Sequence, residues 1–356
     1  MAIYIILLCW IWILYMFHGR KLTVRRNYLE NPYIHRRSKR DVILMAVFFA
    51  ILIAFRDLSV GLDTPQYKYN FNQINPDILS DSDFFTLREW GYSLIQVIIK
   101  LLGLDFRAVM IVESVLYIAP VAYVIYNYSR NPYFSFFVFL AMDYYLFGMT
   151  AIRQSIALGL TLVAFDLAVR NKKFWFVITV LIASTVHTTA LVFLPVVILS
   201  KIPLRKKYVF LALVLSFLLN TFKEPIRQLM MDLAHNPYVE METGGTGMHL
   251  LMLSIVLLDL LRGNRASKHW DEADLITYMM ISAVAVYPVL QFNPAVFRLH
   301  YYYSIMMIIY IPNVLKKYRN NLLRWGLTLG YFAIAFYYMF AYSFQMMGAV
   351  PYQFGF

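Results

Sequence analysis

Twelve apolar runs follow one another along the chain, near 2–17, 41–55, 90–104, 107–126, 132–148, 154–169, 174–199, 208–222, 249–261, 274–291, 299–315 and 325–345. No segment between them is long enough for a soluble domain. Backbone in lipid must satisfy its own polar groups, so runs of this kind are read as membrane helices. The alternating pattern of a transmembrane barrel is absent. Hydrophobic residues fill 61% of the 356 positions, whereas soluble domains hold about 45–50%. The expected fold is all-α: one polytopic integral membrane domain over residues 1–356, with about 12 transmembrane or partly re-entrant helices. Residues 2–17 lack a preceding basic region and a small-residue cleavage site, so they read as a retained first span. The single cysteine, Cys9, excludes an internal disulfide and a cysteine-based metal site.

The net charge of +12 would raise nucleic acid as a partner for a soluble chain. Here the positive charge sits in short loops between apolar runs, where Lys and Arg mark the cytoplasmic side of a membrane, and no nucleic-acid partner is expected. The loop 18–40 is strongly basic and reads as cytoplasmic, as do "RNKK" (170–173), "KIPLRKK" (201–207), "RGNRASKH" (262–269) and "KKYRNNLLR" (316–324). Segments 56–106 and 223–248 read as external loops, which puts the N-terminus outside.

This assignment contains a parity conflict. "RNKK" and "KIPLRKK" flank a single apolar run, 174–199, so the run must go out and come back. Its most polar stretch is "STVHTTA" (184–190), which puts His187 at the external tip. Each half would reach only about 20 Å at 1.5 Å per residue, short of a bilayer core of about 30 Å. Parity is repaired if the weak run 88–104, which contains Gln96 and Lys100, lies along the external interface instead of crossing. The competing topology has 88–104 crossing and 174–199 as one long helix.

Ionisable groups at membrane depth are costly, so those present call for an explanation. In the favoured topology four sets meet at the external ends of helices: Arg56 with Asp57 and Asp63, Arg153 with Gln154, His187 with Thr188 and Thr189, and Arg298 with His300. Each has a plainer reading, as an interfacial anchor, a turn residue or a histidine bonded to a carbonyl. Together, three arginines at one depth suit an oligophosphate, because the guanidinium fork matches phosphate oxygens and keeps its charge. Asp63 and His187 are the acid/base candidates. No GxxxxGK[ST], HExxH or GxSxG pattern is present.

"FRDLSVGLDTPQY" (55–67), "EWGYSLI" (89–95), "AIRQSIALGL" (151–160), "VHTTALVFLP" (186–195), "FRLHYYY" (297–303) and "VPYQF" (350–354) occur in that order. As an ordered set they resemble the EpsG family, Wzy-like integral membrane proteins of exopolysaccharide, capsule and O-antigen assembly. The resemblance implies a polymerase that joins oligosaccharide repeat units carried on undecaprenyl diphosphate, at the outer face of the bacterial inner membrane, with a GT-C-like glycosyltransferase architecture. It implies His187 and Asp63 as catalytic groups, Arg56, Arg153 and Arg298 as diphosphate ligands, and Tyr67, Gln154, His300 and Tyr301 as glycan contacts. No cofactor and no metal are expected, because arginine supplies the positive charge. The expected partners are the lipid-linked oligosaccharides, the bilayer, and a chain-length regulator or flippase of the same pathway. The competing functions are a ligase that moves the finished glycan to another acceptor, an oligosaccharide flippase or transporter, and a sugar O-acyltransferase.

Overall fold

The computed structural model describes residues 1–19, 32–80, 84–234, 245–261, 272–291, 294–344 and 347–355. Much of the basic loop 18–40, the middle of the 223–248 segment expected outside, and the basic stretch 262–269 lie outside the described residues.

Among the described residues the regular secondary structure is all helical, apart from one isolated β-bridge between Arg56 and Phe354. Several helices start where the sequence supplies a cap. Asp105 accepts from the Arg107 amide to open Phe106–Tyr128, Asn131 accepts from the Phe134 amide to open Pro132–Ala141, and Asn320 accepts from the Leu323 amide to open Asn321–Tyr338. Phe106–Tyr128 packs against both Pro32–Ala54 and Ile152–Val169, and Lys206–Thr221 packs against Glu272–Leu290. At Gly159 the Leu116 carbonyl approaches so closely that no Cβ would fit, which sets the spacing of two central helices. The core between them is rich in aromatics: Phe49, Phe136, Phe139 and Tyr145 are all fully buried and in ring contact.

Not every apolar run becomes a spanning helix. Among the described residues three helices are long and apolar enough to cross a membrane: Phe106–Tyr128, Ile152–Val169 and Ala273–Leu290. The number rises to five if each of two bent pairs counts as one span. The causes of the shortfall are local. The 132–148 run bends by 50° between Pro132–Ala141 and Tyr144–Thr150, where Asp143 takes φ 64°. The 208–222 run turns by 67° into Lys223–Leu229. Other runs end as apolar helices of 10–17 residues.

The 174–199 run does reverse. Helix Lys173–Val186 ends at His187, whose backbone is extended at φ −150°, ψ 114°, and a 3-10 turn, Thr188–Phe193, leads into Val196–Leu199. The returning arm lies against the outgoing one. Phe193 stacks on Phe176 with centroids 6.0 Å apart, and the Lys201 side chain meets that of Lys173.

Helix Trp90–Leu101 has 12 residues, about 18 Å at 1.5 Å per residue. It buries Tyr92, Gln96 and Val97 and exposes Ile98 and Leu101. The Lys100 ammonium donates to the carbonyls of Asn72 and Ile74, at 3.0 and 2.5 Å, and the Tyr92 ring meets that of Tyr67. This short helix packs against Lys173–Val186 and is tied to segment 64–74 near both ends.

The last described residues form a strap. Asp57 N–H donates to Gln353 O at 2.8 Å and Gly355 N–H to Phe55 O at 3.0 Å. Gly61 N–H donates to Gly348 O at 2.9 Å, and Thr150 Oγ1 to Met347 O at 2.8 Å. Tyr4 Oη donates to Ala349 O at 2.8 Å.

Candidate functional site

The first turn of helix Ile152–Val169 gathers the chemistry of segments far apart in sequence. Arg153, Gln154 and Ser155 are consecutive, and each reaches a different part of the chain. Arg153 Nη1 lies 2.5 Å from Glu89 Oε2. Gln154 Nε2 donates to the Arg298 carbonyl at 2.9 Å. Ser155 Oγ donates to Glu113 Oε1 at 3.0 Å, and the other oxygen of Glu113 accepts from Arg56 Nη2 at 3.2 Å.

These contacts divide the arginines between two levels. Arg153 and Arg298 are half-exposed, at 41% and 43%. Arg298 Nη1 reaches Asp63 Oδ2 only at 3.5 Å, and the Arg153 guanidinium stands 5.6 Å over the Tyr67 ring. Asp63 precedes helix Thr64–Gln73 without capping it through its side chain. Its carboxylate is therefore left for Arg298. Arg56 is fully enclosed at 0% exposure, held by Glu113 and by the Ile53 carbonyl at 2.6 Å. The structure brings Arg153 and Arg298 together with His187, Asp63, Tyr67 and Gln154. It sets Arg56 beneath them, joined only through Glu113 and Ser155.

Two further candidates also point inward. His300 is buried among Phe297, Tyr301 and Tyr287, with Nδ1 2.9 Å from Ser304 Oγ. Tyr301 is buried with its ring stacked on Phe147 at 4.2 Å. The neighbouring Tyr302 hydroxyl reaches Thr189 Oγ1 at 3.0 Å instead. The "FRLHYYY" stretch is helical here, so consecutive side chains fan around the axis and cannot all face one cavity.

The central residue of the exposed cluster is Glu89, which sequence reasoning passed over. Its carboxylate is 3% exposed. Oε1 lies 2.6 Å from His187 Nδ1 and accepts from the Thr188 amide at 3.2 Å and the Thr188 hydroxyl at 3.4 Å. The His187 contact is short but out of line with the ring N–H, so Nδ1 lacks a well-formed hydrogen bond. Glu89 also satisfies the broken backbone, because its carboxylate takes the Thr188 amide beside the break at His187. Burial alone would raise the Glu89 carboxyl. His187, the Arg153 charge and the Thr188 N–H outweigh that and hold it at about 2. The one visible signal was an acid opening "EWGYSLI". Glu113, an acid within an apolar run, carried a similar signal.

With His187 Nδ1 facing Glu89, its Nε2 is the ring atom left to meet a ligand. Among the described residues no three His, Cys, Asp or Glu side chains are grouped to hold a metal ion. The cluster can bind an anion through two arginine forks and offer one imidazole to a proton.

No curated protein and no solved structure matches the chain. A sequence profile of the EpsG family matches residues 41–354, a span that includes every group of this cluster, and the chain belongs to the EpsG family.

Proposed function

We propose that the protein is a polysaccharide polymerase that joins undecaprenyl-diphosphate-linked oligosaccharide repeat units at the external face of the bacterial inner membrane. The observation that carries this reading is the pairing of two half-exposed arginines, Arg153 and Arg298, with His187 at the break in the 174–199 run. Family membership supports the same class of reaction. The shorter apolar helices complete a GT-C-like bundle of about 12 membrane segments with its N-terminus outside, the orientation that the basic loops favour.

In the reaction, the growing glycan sits on one lipid diphosphate. A hydroxyl at the non-reducing end of a second lipid-linked unit attacks its anomeric carbon. A carbon–oxygen bond forms there, and the bond from that carbon to the diphosphate breaks. Undecaprenyl diphosphate leaves with the bonding electrons. Arg153 and Arg298 bind the diphosphate and stabilise the charge it gains on departure. His187 Nε2 takes the hydroxyl proton. The Asp63–Arg298 contact is long and half-exposed, worth at most about 1 kcal/mol, so an incoming diphosphate displaces Asp63 at little cost. Tyr67 lies beside the arginines, where the first sugar would sit, while Gln154 is buried and holds the Arg298 carbonyl.

The test is to reconstitute the purified protein in liposomes with a lipid-linked repeat unit. A ladder of longer glycans on lipid is expected. A single transfer to another acceptor would instead indicate a ligase. Movement of the unit across the bilayer without new bonds would indicate a transporter.

A further inference from the structure

We propose that Glu89 is a positioning residue that exchanges its arginine for the incoming diphosphate. In the resting site one carboxylate serves Arg153 and His187 at once. An oligophosphate that takes Arg153 leaves the carboxylate to His187 alone, so donor binding and preparation of the base become one event. This rests on the function proposed above.

Three features of the geometry support the exchange. The first is that the carboxylate is divided. Oε2 faces Arg153 Nη1 at 2.5 Å and Oε1 faces His187 Nδ1 at 2.6 Å, the second contact being out of line. A carboxylate shared between a guanidinium and an imidazole cannot align with both, and here the histidine has the poorer angle.

The second is that Glu89 is fixed while Arg153 is not. Glu89 holds a left-handed backbone, φ 62°, ψ 38°, which non-glycine residues keep only when their surroundings enforce it. The enforcement is visible two residues on. Gly91 lies so close to Thr185 that a Cβ there would collide with it, which docks the Glu89 turn onto the outgoing arm just before His187. Arg153 is 41% exposed and rests on the face of Tyr67, a surface along which a guanidinium can slide.

The third is that Arg153 is undercommitted. Nη1 meets Glu89, the Tyr67 hydroxyl takes a further contact, and Nε is buried without a hydrogen-bond partner in the structure. A guanidinium with spare donors is suited to bidentate phosphate contact. The Glu89 carboxyl stays ionised at any working pH, so it competes with phosphate for Arg153 throughout.

The experiment uses full-length protein in detergent, inorganic pyrophosphate as the binding probe, and ladder formation on the lipid-linked unit as the activity. Glu89→Gln keeps the size of the side chain and removes its charge. Pyrophosphate binding should tighten about tenfold, the size of one charge-assisted contact released. Polymerisation should fall by about a hundredfold, at the lower end for loss of general-base function. The tightening should vanish when Arg153→Gln is added. A residue that merely supports the fold would weaken both readouts together, and that result overturns the proposal. So does unchanged pyrophosphate binding in Glu89→Gln, or no binding by the wild type.

If Glu89→Gln fails to fold, Glu89→Asp decides. It keeps the charge one methylene short, so pyrophosphate binding should stay within about threefold while polymerisation drops by about tenfold or more. Equal losses in both overturn the proposal. The pyrophosphate arm does not depend on polymer synthesis. A wild-type protein that makes no ladder defeats the proposed function, while the binding data still decide the role of Glu89.

Discussion

The enclosed pair Arg56–Glu113 gives the sharpest quantitative test. Both side chains are 0% exposed and meet at 3.2 Å. Glu113 also takes Ser155 Oγ at 3.0 Å, and Arg56 also reaches the Ile53 carbonyl at 2.6 Å, while Arg56 Nε has no hydrogen-bond partner in the structure. Replacing Glu113 by Gln keeps its shape but leaves a buried guanidinium facing a neutral amide. Breaking a buried pair from one side costs about 3–5 kcal/mol. At about 1.4 kcal/mol per tenfold, that shifts the folding equilibrium by two to nearly four powers of ten. The assay is denaturant unfolding of the purified protein in mixed micelles, followed by tryptophan fluorescence. The double replacement Arg56→Met with Glu113→Leu removes both charges and keeps the volume, and should recover stability to within about 1 kcal/mol of wild type. Wild-type stability in Glu113→Gln would refute the reasoning, as would a double variant no more stable than the single one. With stability restored, polymer synthesis by the double variant then reads whether Arg56 also meets the diphosphate.

His187→Gln should keep normal expression and pyrophosphate binding but lose about a hundredfold or more in polymerisation, because glutamine can hydrogen-bond but cannot take a proton; wild-type turnover would move that role to Asp63 or remove it. The Glu89 carboxyl lies at about 2 in the fold, against 4.5 ordinarily. Its folded value is depressed, so its contribution to stability is complete above 4.5 and is lost as pH falls toward 2. Acid unfolding of Glu89→Gln should therefore be flatter than wild type in that window, and identical curves would contradict the buried ion pairs. Cysteine at Lys100 should label from the external side of the membrane; labelling from the cytoplasm alone would mean that Trp90–Leu101 crosses.

Part of this architecture was legible in the sequence because charge and periodicity are local. Two basic loops around the 174–199 run forced a reversal, and the polar "STVHTTA" located it at His187. Gln96 and Lys100 marked 88–104 as a poor span. Tertiary pairing was not legible. Arg56 reads as an external anchor until Glu113, 57 residues away, is seen to bury it. Glu89 reads as a helix-end acid until the break at His187 is folded against it. His300 and Tyr301 look accessible in an aromatic motif, but the helical turn there directs them into the core. The number of full spans was not legible either, because run length does not reveal where a chain bends, as it does at Asp143.

The strap at 347–355 bears on the order of assembly during translation. The loop 55–61, which leads to Asp63, exchanges hydrogen bonds with backbone made almost 300 residues later. On the ribosome this corner therefore stays open until nearly all of the chain has been inserted, and every earlier segment must wait beside an unfinished edge. A nascent chain halted before Met347 holds Asp63, Tyr67, Glu89, Arg153, Gln154, His187 and Arg298, yet lacks the backbone partners of Asp57 and Gly61. Such a product should show a 55–61 loop open to protease where the full chain resists it. Closure of the 55–61 corner would then report that residues 347–355 have arrived from the opposite end of the sequence.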